Sequence, residues 1–192
     1  MRQYLFAILA AGAVATPAAA QSGPFSGLRV EGIVGYDTVD VENDNSDGVT
    51  YGAGVGYDAQ AGNVVFGAEG EISESTVDEC VTGVELASDE LCAQAGRDLY
   101  VGGRVGALVS PRVLVYGKAG YTNARVNLDY EDGTAGTTLD FEDGENLDGV
   151  RVGGGVELAL GPNSYAKTEY RYSNYEQGFD RHQIVAGFGF RF

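Results

Sequence analysis

Histidine occurs once in this chain of 192 residues, cysteine twice and proline four times, and each shortage excludes something. A structural metal site needs about four soft ligands, and His182 lies far in sequence from Cys80 and Cys92. The two cysteines instead share one loop-like segment, where an exported, oxidising compartment favours a local disulfide. Few prolines, and glycines set within alternating apolar segments, argue against a disordered glycine-rich chain, although glycine reaches 30 residues against an ordinary usage of about 7%. Basic residues are also scarce, 12 against 28 acidic, giving a formal net charge of −16. A nucleic-acid partner is excluded, since phosphate binding needs basic patches. No stretch sustains a helical period, which excludes a helix-rich fold.

What is present begins with a leader. Arg2 precedes a short apolar run from Tyr4 to Val14, then Pro17 and Ala18-Ala19-Ala20 before Gln21. A basic start, a short oily core and small residues at the end describe a secretory signal peptide over residues 1–20, with one mature domain over 21–192. Losing Arg2 takes the mature charge to −17. No cysteine lies at the expected cut, so no lipoprotein anchor is expected.

The last twelve residues, R-H-Q-I-V-A-G-F-G-F-R-F, organise the remainder. Counting back by two gives Phe192, Phe190, Phe188, Ala186 and Ile184 on one face, and Arg191, Gly189, Gly187, Val185 and Gln183 on the other. Seven similar segments precede it, at about 27–37, 49–58, 64–72, 99–109, 113–121, 150–158 and 165–172. Connections alternate long and acidic with short, such as S-P-R and G-P-N. The fold class predicted is all-β: an eight-stranded antiparallel up-and-down transmembrane β-barrel with short periplasmic turns and long acidic extracellular loops. Closure leaves no sheet edge unpaired in lipid.

Parity supplies a test. Every charge within the spans falls on one face: Arg29, Glu31, Glu69, Glu71, Arg104, Lys118, Arg151, Glu157, Lys167, Glu169, Arg171 and Arg191. A soluble barrel places apolar residues inside and polar ones outside. The reverse arrangement sends these charges to the lumen, because a midplane arginine facing lipid costs about 2–4 kcal/mol. An eight-stranded interior is just wide enough for side chains to fill, so the charges read as a mutually paired plug. Tyr36, Tyr51, Tyr121 and Tyr172 at the long-loop ends, with Tyr57 and Phe192 at the turn ends, read as two aromatic girdles.

The segment Gly153 to Tyr175, the stretch Y-G-K-A-G-Y from Tyr116 to Tyr121 and the ending G-F-G-F-R-F resemble the outer-membrane β-barrel family, including OmpA-type transmembrane domains and opacity-type surface proteins. The resemblance implies a Gram-negative outer-membrane location. It also implies insertion by the barrel-assembly machinery, with Phe188, Phe190 and Phe192 as the assembly signal. No cofactor is expected.

Three functions compete: a structural and surface-display barrel, a narrow or gated porin-type channel, and a lipid-A-modifying enzyme. For display, the expected partners are outer-membrane lipid, lipopolysaccharide head groups and divalent cations; oligomeric state stays open. The run Asp140 to Gly149 looks calcium-like but lacks EF-hand spacing. For the enzyme, His182 is the sole base candidate; the serine that deacylase-type barrels carry two residues on is Ile184 here, and no spacing recommends Ser173. No catalytic residue is assigned.

Overall fold

The structure, a computed structural model, describes residues 23–41, 44–76, 78–82, 90–131, 141–176 and 180–192; the leader expected over residues 1–20 lies outside them. Nine strands are described: β1 (Gly27–Val41), β2 (Asp44–Ala61), β3 (Val64–Ser75), β4 (Asp78–Thr82), β5 (Glu90–Ser110), β6 (Val113–Glu131), β7 (Phe141–Ala159), β8 (Ser164–Tyr175) and β9 (Asp180–Arg191). Eight of them close into an antiparallel barrel. The sheet runs β3-β2-β1-β9-β8-β7-β6-β5, and β3 pairs with β5 to complete the circle.

The alternation seen in the sequence decides which face each residue takes. Val34, Tyr51, Phe66, Val105, Val150, Phe188 and Phe192 are all exposed on the outer surface, while their chain neighbours turn into the lumen. Inward glycines make room for large inward tyrosines: Gly102 lies under the Tyr100 ring, Gly155 under Tyr116 and Gly189 under Tyr165. Two glycines are fixed by their backbone. Gly62, at φ 62°, turns the chain between β2 and β3, and Gly27, at φ 121°, bends the N-terminal segment beneath the barrel. A side chain at Gly27 would also collide with the Phe192 carbonyl oxygen.

The strands run further at the long-loop end than the sequence suggests. β5 spans 21 residues and β6 and β7 span 19 each, whereas about 9–11 suffice to cross hydrocarbon. Segments read as loops, Glu90–Arg97 and Phe141–Asp148, are continuations of β5 and β7. Backbone pairing continues there beyond the apolar stretch that marks each strand in the sequence. β4 pairs with the extension of β5 and places Cys80 opposite Cys92 in the backbone register. The side chains of these two cysteines lie outside what is described.

Candidate functional site

Along the barrel axis the described residues build five layers. At the turn end sits an apolar cluster of Phe25, Val65, Leu114 and Tyr116. Phe25 belongs to the segment turned under by Gly27 and is wholly buried. Its backbone N–H donates to Gln60 Oε1 at 3.2 Å, and the Arg191 guanidinium lies 5.4 Å from its ring centroid and also donates to the Pro24 carbonyl at 3.1 Å. The segment therefore corks the mouth and ties β1 to β9 and to the first turn.

Above the cork, Asp58 is held by three arginines. Arg104 Nε donates to it at 2.9 Å, Arg191 Nη2 donates at 3.0 Å, and Arg29 Nε stands 3.2 Å away. Glu157 pairs with Arg104 at 3.0 Å and Arg191 at 2.9 Å. Arg29 also meets Glu69 and, at 3.3 Å, Glu31.

The middle layer gathers four glutamates around three cations. Lys118 Nζ lies 2.7 Å from Glu69, 2.9 Å from Glu71 and 3.1 Å from Glu169. Lys167 pairs with Glu31 and Glu169, and Arg171 with Glu71 and Glu169. Two tyrosine hydroxyls complete the carboxylates, Tyr165 donating to Glu31 at 2.7 Å and Tyr116 to Glu169 at 2.6 Å.

In the third ionic layer, Arg181 bridges Asp37 and Asp98, and Arg151 joins Asp98 while donating to Ser173 Oγ at 2.7 Å. Thr122 and Tyr175 hydroxyls also donate to Asp98. A second apolar cluster, Ala124, Leu147 and Tyr175, lies at the long-loop end. Buried charges within a low-dielectric interior stand only when paired and hydrogen-bonded, and here each named charge has a partner of opposite sign.

All twelve charges assigned to the lumen from parity are buried there. Sequence reasoning missed four more buried charges, Asp37, Asp58, Asp98 and Arg181, and the Phe25 cork. The four share the inward parity: Asp37 and Asp58 end the spans read at 27–37 and 49–58, Asp98 stands one residue before the span at 99–109, and Arg181 opens the last twelve residues, so carrying the parity count to both ends of each strand finds them. Phe25 carries no such signal. With them, the described lumen holds eight cations and eight anions. The other twenty acidic residues of the sequence fall in 40–47, 74–90, 129–148 and 176–180, the stretches read from the sequence as the long acidic connections.

His182 faces outward, its Nδ1 2.7 Å from the Tyr170 hydroxyl and its ring 5.0 Å from that of Tyr172. Ser173 points the other way, buried in the lumen under Arg151. The wall of the barrel separates the two, so they form no nucleophile–base pair. At the outer rim, tyrosine hydroxyls donate to carboxylates on neighbouring strands, Tyr51 to Glu74 at 3.0 Å and Tyr172 to Asp180 at 3.0 Å. Tyr121 and Asn123 both donate to Asp148, and these two hydrogen bonds, Tyr121 first, hold its carboxyl below the usual aspartate range.

A closed antiparallel barrel, apolar outside and ionic inside, defines a protein that spans a membrane with strands. The family described as outer membrane protein beta-barrel domain matches residues 6–192, and the chain belongs to it. The chain is 29% identical over 187 residues to a 22 kDa outer membrane protein of Rhizobium leguminosarum bv. viciae, covering 89% of this chain and 80% of that one. It is 28% identical over 141 residues to a 25 kDa outer-membrane immunogenic protein of Brucella ovis, covering 73% and 62%. Among solved structures it resembles Neisserial surface protein A, with a TM-score of 0.61 at 16% identity, covering 87% of this chain and 98% of that one. It also resembles the attachment invasion locus protein of Yersinia pestis, with a TM-score of 0.57 at 15% identity, covering 87% and 99%. The protein is an outer-membrane β-barrel protein; the two structural likenesses speak to the fold alone.

Proposed function

We propose that the protein is a sealed surface-display barrel: an anchor that holds acidic outer loops above the membrane and does not conduct solutes. The observation that carries this reading is the balanced lumen, eight cations against eight anions in three layers between two apolar clusters. Among the described residues, each fully buried lumen charge has a partner of opposite sign, which leaves an entering ion none of them free to bind. Separating a buried pair to admit it costs about 3–5 kcal/mol. The name of the Brucella relative, an immunogenic outer-membrane protein, agrees with exposure at a cell surface.

The acidic outer segments attract divalent cations, which bridge them to anionic lipopolysaccharide head groups. Export uses the leader over residues 1–20, and mass spectrometry of the mature chain is expected to begin at Gln21. The outward Phe188, Phe190 and Phe192 of β9 serve the barrel-assembly machinery during insertion. Cys80 and Cys92 close a disulfide across the β4–β5 pair, read out as a loss of two mass units from the reduced chain. The direct test of display against transport is single-channel recording in planar bilayers on heat-modifiable, folded protein. The expected trace is flat; a steady open level makes the protein a channel.

A further inference from the structure

The outer surface of the barrel is not uniformly ridged. On β9, β1, β2 and β3 two outward rows of residues lie side by side, one above the other. The lower row, read across the pairings, is Phe188, Gly32, Ala53, Ile72, and the row above it is Ala186, Val34, Tyr51, Glu74. Large side chains stand at both ends of the lower row and almost nothing stands between them. A Cβ added at Gly32 would meet no atom within 4 Å. The result is a shallow hollow of about 650 Å³, open along its membrane-facing side. Phe188 and Ile72 are half exposed as its walls. At its outer-leaflet end the apolar lining gives way to Tyr51, whose hydroxyl donates to Glu74 Oε2 at 3.0 Å.

We infer that this hollow is a lipid-binding site for one outer-leaflet lipid whose head group carries an ammonium. Because the hollow opens on the membrane-facing surface, its occupant comes from the bilayer. An acyl chain fills the Gly32–Ala53 floor and replaces the dispersion contacts that the missing side chains would have made. The Glu74 carboxylate stands at the mouth as the acceptor for a positively charged head, and it repels a purely anionic one. Elsewhere on the outer surface small residues also occur, as at Gly117 on β6 opposite Val105 and Gly154, but no carboxylate borders them in the register. The inference rests on the barrel spanning the membrane and is independent of whether the lumen conducts.

The test uses the full mature barrel in nanodiscs containing equal amounts of phosphatidylethanolamine and phosphatidylglycerol with identical chains, followed by native mass spectrometry of the released protein. The wild type is expected to retain one lipid, with the ethanolamine form enriched about two- to fivefold, the range an exposed ion pair supports. Glu74→Gln is expected to keep a lipid and lose the head-group preference. Gly32→Leu and Ala53→Leu each fill the floor and are expected to lose the retained lipid, whereas Gly117→Leu on the far side keeps it. Heat-modifiable gel mobility establishes folding for each variant, and either floor substitution alone decides the point if the other misfolds. Equal retention of the two lipids by the wild type overturns the proposal. So does undiminished retention in a folded floor variant, or a stable dimer that the floor substitutions dissolve.

Discussion

Glu169 and Asp148 lie on adjacent strands of one sheet and meet opposite fates. Glu169 is buried among Lys118, Lys167 and Arg171 and accepts a hydrogen bond from Tyr116. Asp148, exposed at the outer rim, is met among the described residues by the neutral donors Tyr121 and Asn123. The same contrast holds for the two regions as wholes. Inside, where the dielectric is low, the described charges balance; the remaining twenty acidic residues of the sequence are matched only by Arg97, Arg112 and Arg125 once the leader's Arg2 is set aside. Water and counterions screen the outer excess within about 8–10 Å, so it needs no partners. Net charge in this chain is therefore a property of its rim and loops, and says nothing about its core.

Breaking the balance inside is expected to have the largest effect. Asp58→Ala takes a shared partner from Arg29, Arg104 and Arg191 and leaves the described lumen with one uncompensated cation; it is expected to cost about 3–5 kcal/mol, read from urea unfolding in detergent micelles. An unchanged midpoint would mean that the lumen charges are solvated and not a plug. Next comes a charge forced to the wrong side: Val105→Arg, at mid-height on the outer face, is expected to cost about 2–4 kcal/mol in bilayers. Placed at the exposed rim instead, a charge change is expected to count for little. Glu176→Gln should leave stability within about 0.5 kcal/mol, and a larger shift would show that the outer charges are structurally coupled.

The smallest effect sharpens the rim side of the comparison. Because Asp148 is held below the ordinary aspartate value in the folded protein, its contribution is complete above the unfolded value. It is lost as pH falls through the lower folded one. An NMR titration of the Asp148 carboxyl should show a depressed midpoint that rises when Tyr121 is replaced by phenylalanine. No rise would place the cause elsewhere.

Much of this was legible in order along the chain. Phe188, Phe190 and Phe192 share one parity and Arg191 the other, and the barrel wall keeps them on opposite sides. Where the reading fell short, the cause was a missing periodic signal. The extension of β7, F-E-D-G-E-N-L-D, carries acidic residues on both parities, and a register irregularity between Ala95 and Asp98 interrupts parity where β5 leaves the membrane. Phe25 precedes the first strand altogether, so no alternation announces it. The hollow between Phe188 and Ile72 joins residues of four strands and exists only once those strands are paired.

Residue order alone sets the number of spans, the face each residue takes and the segregation of charge, because side chains along a strand alternate whatever the strand is paired with. Which charges meet follows from closure of the barrel. Lys167 reaches Glu31 across 136 residues and Arg181 reaches Asp37 across 144, and both pairs depend on β9 closing against β1 in one particular stagger. Alternation is a local property of the backbone, whereas stagger is set only when the cylinder closes.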